Sequence, residues 1–135
     1  MATETLAAID LGSNSFHMIV ARIVDGQLQV IDRLREMVQL AAGLDNKRRL
    51  CEAAQERALA CLARFSQRLR HMPPSRIRIV GTNTLRQARN GGDFLVKAEA
   101  VLGHPVEVVS GMEEARLIYL GVAHSIADNP EQRLV

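Results

Sequence analysis

The sequence has no tryptophan, one tyrosine and three phenylalanines. It therefore lacks the interleaved aromatic faces on which unpaired bases stack, and a base-stacking nucleic-acid platform is not expected. Only two cysteines occur, Cys51 and Cys61. Ten residues apart on one predicted helix, they would stand ~15 Å from each other, too far for a disulfide. Both are expected to be reduced, with Cys61 a small core residue. The four histidines, His17, His71, His104 and His124, are scattered, and no Cys/His spacing suits zinc. No apolar run approaches the ~20 residues that span a bilayer. The opening Met1-Ala2-Thr3-Glu4-Thr5 has no basic segment ahead of an apolar one, so no secretory signal is expected and a cytoplasmic protein is. Nowhere does Gly-x-x-x-x-Gly-Lys-Ser/Thr occur, which excludes a Walker-type P-loop as far as the sequence runs.

What is present suits a globular fold. The 135 residues are 47% hydrophobic and 24% charged, enough to bury one core and too apolar for disorder. The net charge of +2 hides an uneven distribution. Residues 43–90 carry 11 basic against 3 acidic side chains, whereas the segments on either side are both acidic in balance. Such asymmetry marks either a polyanion surface or an arginine-rich solvated helix face.

Apolar patterning divides the chain. Leu6–Asp10 reads as a short buried strand ending in the polar turn Leu11-Gly12-Ser13-Asn14. Phe16–Val24 is a second strand, Asp25-Gly26 a tight hairpin turn with positive φ angles, and Gln27–Arg33 the returning strand, running on toward Leu40. Ala41–Leu50 is a loop with the basic run Lys47-Arg48-Arg49. From Cys51 to about Arg70, the residues Ala54, Ala58, Cys61, Leu62, Phe65 and Leu69 recur at helical spacing and make one face. Pro73-Pro74 is expected to stop that helix. Arg76–Gly81 is a strand, and Thr82-Asn83-Thr84 caps a short helix holding Arg86 and Arg89. Asn90-Gly91-Gly92-Asp93 is expected to break it, before a helix over Phe94–Leu102 ended by Gly103. Pro105–Val109 is the next strand. Ser110-Gly111-Met112-Glu113 has the capping-box pattern and opens a helix to about Ile126. The order β, β, β, α, β, α, β, α predicts an α/β fold: a mixed five-stranded sheet, three antiparallel strands then two parallel ones, flanked by helices. Leu134-Val135 reads as the first step of a further strand, so the chain is expected to be a piece of a longer domain.

Ligands of open α/β sheets sit beyond the carboxyl ends of the strands. Three segments fall there: Asp10–Ser15, Gly81–Arg86 and Ser110–Glu114. In the first, the amides of Gly12–Ser15 can form an anion nest, with Ser13, Asn14 and Ser15 adding side-chain donors. Asp10 at the strand end can hold Mg²⁺ directly or through water. Arg86, in the first turn of its helix, opposes the helix dipole unless an anion lies nearby, and its planar fork suits phosphate oxygens. Glu113 is placed to return a hydrogen bond to the cap at Ser110. Glu114 has no such duty, and a carboxylate there can orient and deprotonate a water attacking a phosphoryl group. An ordinary hairpin, a surface arginine and a carboxylate favoured by a helix N-terminus are the bland alternatives.

Ala8-Ile9-Asp10-Leu11-Gly12-Ser13-Asn14-Ser15-Phe16-His17 resembles the first phosphate motif of the exopolyphosphatase/guanosine-pentaphosphate phosphatase family. Gly81-Thr82-Asn83-Thr84-Leu85-Arg86 and the stretch Ser110-Gly111-Met112-Glu113-Glu114-Ala115-Arg116-Leu117-Ile118-Tyr119 resemble its other segments in order. The resemblance implies a ribonuclease-H-like (actin-like ATPase) half-domain, with residues 1–135 the N-terminal subdomain of the phosphatase domain. It implies Glu114 as catalytic base, Asp10 as Mg²⁺ ligand, and Gly12, Ser13, Asn14, Ser15 and Arg86 as phosphate-binding residues. The reaction implied is hydrolytic release of terminal phosphate from inorganic polyphosphate, the alternative substrate being guanosine pentaphosphate. A non-catalytic nucleotide- or polyphosphate-binding module is the rival of another class. Nucleic acid is not an expected partner; peripheral membrane association and a homodimer of the full-length protein are within the expectation. The family's second phosphate loop, an Asp-Ile-Gly-Gly-Gly-Ser stretch, would begin after Val135, so the chain alone is expected to be inactive. Cys51 stands where many members have a serine cap, a loss of about 1 kcal/mol.

Overall fold

A computed structural model of the chain describes residues 4–81, 85 and 87–108. Its strands are β1 (Glu4–Leu11), β2 (Ser15–Val24), β3 (Gln27–Met37), β4 (Ile77–Gly81) and β5 (Glu107–Val108), and its helices α1 (Glu52–Ser66) and α2 (Gly91–Leu102). The strands make one sheet in the order β3-β2-β1-β4-β5. β1 and β2, and β2 and β3, pair antiparallel, while β4 runs parallel to both β1 and β5. Parallel neighbours need a crossover, and α1 and α2 supply the two. This is the expected mixed five-stranded sheet.

β1 is central, and both of its faces are buried. Ala7, Ile9 and Leu11 join the core under the helices; Leu6, Ala8 and Asp10 are buried on the other side. A strand buried on both faces reads as a continuous apolar run, which is what made Leu6–Asp10 legible. At the edge, β3 alternates instead. Asp32, Leu34 and Glu36 are half-buried, while Arg33, Arg35 and Met37 are exposed. The register slips at Val20/Ala21, so Ile31 is the extra residue of a bulge.

The expected stripe of α1 is the observed one. Ala54, Ala58, Cys61, Leu62, Phe65 and, just beyond the helix, Leu69 are buried against Ile9, Phe16 and Met18. α2 adds Phe94, Ala98 and Leu102 to the same core. Each large apolar side chain contributes roughly 1.5–3 kcal/mol by leaving water. Arg64 and Arg68 then reach from α1 to Glu36 and Asp32 on β3. Half-exposed pairs of this kind add little to stability.

Two expected boundaries are corrected. The α-helical part of α1 stops short of the expected Arg70. It ends at Ser66, a 3-10 turn covers Gln67–Leu69, and His71 takes φ 70° with the Met72 N–H donating to the Leu69 carbonyl. The apolar stripe is exhausted at Leu69, so the chain turns before the prolines are reached. The expected break after the short helix falls at residues 88–90, and α2 begins at Gly91, three residues before the expected Phe94. A Cβ on Gly91 would lie 1.8 Å from the Leu85 carbonyl oxygen, so the glycine serves close approach, not disruption. Gly103 ends α2 as expected, left-handed at φ 77° with its N–H on the Glu99 carbonyl. Asp25 and Gly26 take φ 52° and 77°, the primed hairpin turn expected there.

Both cysteines are free, Cys51 exposed and Cys61 buried. Cys51 precedes α1 with no side-chain capping bond, the weak cap expected. Burial, reinforced by the Glu36 carboxylate, pushes the Cys61 thiol up to about 12. No helix among the described residues is long and apolar enough to cross a membrane.

Candidate functional site

The sheet aligns three strand ends. Leu11 of β1 pairs with Gly81 of β4, and Gly81 pairs with Val108 of β5. The carboxyl ends of β1, β4 and β5 therefore lie side by side at one edge of the sheet. Residues 38–51 lie at this edge as well, because β3 ends at Met37 opposite Ser15 and α1 starts at Glu52.

The Gly12–Ser15 turn is held by its carbonyls. The Ser13 carbonyl accepts the Ala41 N–H at 2.9 Å, and the Asn14 carbonyl accepts the Val38 and Gln39 N–H groups at 2.9 and 2.7 Å. In a trans peptide the N–H of the next residue points opposite to the carbonyl. The Asn14 and Ser15 amides consequently face away from residues 38–41, side by side. Two successive amides turned to one side form a concavity for an oxyanion. The Gly12 amide differs from expectation: it donates to the Ser15 carbonyl at 3.1 Å and closes the turn. Nor does Gly12 take a positive φ; among described glycines only Gly26 and Gly103 do. Gly12 and Ser15 are buried, whereas Asn14 at the tip is exposed.

Asp10 stands at the base of this turn, 9% exposed. Cross-strand partners share a face of a sheet, and the register puts Arg35, His17, Asp10, Val80 and Glu107 in one row across all five strands. The helices cover the opposite face. A hollow of about 200 Å³ lined by His17, Met18, Arg33, Leu34 and Arg35 lies along the β2–β3 end of the row. Among the described residues no group of three or more His, Cys, Asp or Glu gathers as a metal cage. Asp10 would thus supply one carboxylate, which fits Mg²⁺, a cation commonly held by one or two carboxylates with substrate phosphates and water completing its shell.

Residues 44–50 form a small built loop at the same edge. Leu44 and Leu50 bridge its base. The Asp45 carboxylate accepts the Lys47 and Arg49 amides at 2.8 and 3.0 Å. These backbone bonds, Arg49 first, hold its carboxyl below the usual range. The Asn90 side chain, forty residues away in sequence, grips Leu50 from both sides, accepting its N–H at 2.8 Å and donating to its carbonyl at 3.0 Å. The Arg89 N–H donates to the Arg48 carbonyl at 2.7 Å. Sequence reasoning read Asn90 as a helix breaker and missed this grip.

Of the residues expected to act, Asp10, Gly12, Ser13, Asn14 and Ser15 are thereby brought to one edge. Arg86 and Glu114, with the Thr82–Thr84 cap and the helix opened by Ser110, lie outside the described residues.

Comparison with known proteins places these features in context. The family model described as the Ppx/GppA phosphatase family matches residues 19–135. The Ppx/GppA family member of Aquifex aeolicus superposes with a TM-score of 0.77 at 29% identity, over 93% of this chain and 41% of that one. A type II variant of the Aquifex aeolicus Ppx/GppA phosphatase gives 0.77 at 30%, over 91% and 41%. An exopolyphosphatase from Cytophaga hutchinsonii ATCC 33406 gives 0.75 at 28%, over 88% and 38%. The chain spans about two fifths of the length of these structures.

Proposed function

The chain belongs to the Ppx/GppA phosphatase family, and we propose that it is the N-terminal, phosphate-gripping part of an exopolyphosphatase. The observation that carries this reading is the Gly12–Ser15 turn. Its carbonyls are tied to residues 38–41, which turns the Asn14 and Ser15 amides outward beside the buried Asp10 carboxylate. An anion nest next to a carboxylate suits a phosphate that arrives with a divalent cation.

In this reading the amides of the turn, the side chains of Ser13, Asn14 and Ser15, and Arg86 hold the terminal phosphates. Asp10 holds Mg²⁺, which when bound offsets charge developing on the phosphoryl oxygens. Glu114 orients a water and takes its proton as the water oxygen bonds to the terminal phosphorus. The bridging P–O bond breaks, releasing inorganic phosphate and a chain one unit shorter. The turn and Asp10 hold only one side of the phosphate, so the 135-residue chain by itself should bind phosphate without appreciable turnover.

The test is phosphate release by a protein of the relatives' full length carrying this chain, with inorganic polyphosphate and guanosine pentaphosphate offered separately. Polyphosphate should be the better substrate; a higher kcat/KM for guanosine pentaphosphate would reverse the order. Glu114→Gln should lower kcat by about 10²–10⁴ with substrate binding retained. Glu113→Gln should be nearly silent, since glutamine also serves a capping box. If Glu113→Gln abolishes turnover and Glu114→Gln does not, the roles are exchanged.

A further inference from the structure

The structure divides the basic segment into two kinds of cation. Arg64, Arg68 and Arg78 are occupied by Glu36, Asp32 and Glu107, and the Arg57 side chain donates to the Val38 carbonyl at 3.1 Å. Lys47, Arg48, Arg49 and Arg89 are exposed and make no ion pair among the described residues. All four belong to the carboxyl edge that carries the Gly12–Ser15 turn.

We propose that Lys47, Arg48 and Arg49, backed by Arg89, form a second binding site for inorganic polyphosphate, gripping phosphates further along the chain than the one being cleaved. The inference rests on the exopolyphosphatase reading and adds to it a place for the rest of the substrate.

Three observations support it. The loop is fixed from both sides, by the Asp45 carboxylate within and by Arg89 and Asn90 without. Its central residue, Arg48, is left-handed at φ 63°, a conformation unfavourable for a non-glycine residue that persists only where its surroundings impose it. A merely solvated charge run needs neither feature. Next, the loop is connected to the turn by short steps of backbone bonding. Ser13 is bonded to Ala41, and the Cys51 N–H donates to the Gly43 carbonyl at 2.8 Å, so both ends of the loop are tied to the edge where the nest opens. Last, the chemistry is selective in kind. Three cations against Asp45 leave the loop at +2 without an aromatic residue in it. That suits a bare chain of phosphates and offers a nucleic-acid base nothing to stack on.

The experiment compares the unsubstituted 135-residue chain with a triple variant, Lys47→Gln, Arg48→Asn and Arg49→Gln. Asparagine is chosen at 48 because it tolerates positive φ. Calorimetry measures Kd for long-chain polyphosphate, tripolyphosphate and single-stranded DNA at low and moderate salt. The variant should bind long-chain polyphosphate about tenfold more weakly at low salt. The slope of log Kd against log salt should fall by about 2, roughly 0.7 for each cation removed. Tripolyphosphate affinity should be unchanged. A control removing the same charge elsewhere, Arg22→Gln, Arg70→Gln and Lys97→Gln, should leave long-chain affinity within about twofold, since distant charges are screened. The proposal is overturned if both phosphate ligands weaken equally, if the control matches the loop variant, or if DNA binding falls as much as polyphosphate binding. Because the readout is binding, its failure is separable from that of the functional reading: a full-length enzyme that hydrolyses polyphosphate but ignores the loop substitutions retains its activity assignment and loses only the second site.

Discussion

The three antiparallel strands are joined by two tight turns at opposite ends of the sheet, and the two are held in different ways. The Asp25-Gly26 turn is local. Both residues take positive φ, both are exposed, and the turn type follows from those two residues alone. The Gly12–Ser15 turn uses no positive φ. Its shape comes from three bonds to residues 38, 39 and 41, and its base, Gly12 and Ser15, is buried. A turn that only reverses the chain needs nothing beyond its own dihedral angles. One that presents amides to a ligand must have its carbonyls occupied elsewhere, and a distant segment does that here.

The sharpest way to test the contrast is the same substitution at each turn. If Asp10 holds the metal as proposed, Asp10→Asn in a protein of full length lowers kcat by at least about 10²-fold, because a metal's charge stabilisation amounts to several kcal/mol. Asp25→Asn should alter neither activity nor stability beyond about 0.5 kcal/mol, asparagine being at home in a primed turn. Equal losses of kcat in the two variants would erase the distinction.

A pair of glycines extends the comparison to stability. Gly91→Ala would force a methyl group against the Leu85 carbonyl oxygen, and displacing backbone should cost about 1–3 kcal/mol in urea unfolding. Gly26→Ala, at an exposed position, incurs the left-handed penalty at φ 77°, about 1 kcal/mol. If Gly26→Ala is the more damaging, the carboxyl edge is less tightly packed than described.

The smallest effect concerns the cysteines, one at each environment along α1. Burial favours the neutral thiol of Cys61, whose thiolate is scarce until pH approaches about 12. The native chain at pH 8 should therefore take up one equivalent of alkylating reagent, at exposed Cys51, and a second only on unfolding. Two fast equivalents in the native state would mean that the α1 face opens readily.

What repeats at short range was legible from the residues alone. Period-two runs and the Ala54-to-Leu69 stripe specify the strands and the buried face of α1, because the side chains of one element share its geometry. Asp25-Gly26 and Gly103 announce positive φ, a property of single residues. Asp10 and the Gly12–Ser15 turn were visible as residue types at a strand end. Long-range packing set which way that turn faces, since its carbonyl partners lie about 25 residues further along the chain. It likewise decided that Asn90, besides standing at a helix break, grips Leu50, and that Arg64, Arg68 and Arg78 are taken up by acids while Lys47, Arg48 and Arg49 are left to the solvent. A hydrogen bond between residues forty apart depends on where the sheet and its crossovers carry the two ends, and no local pattern of residues encodes that distance.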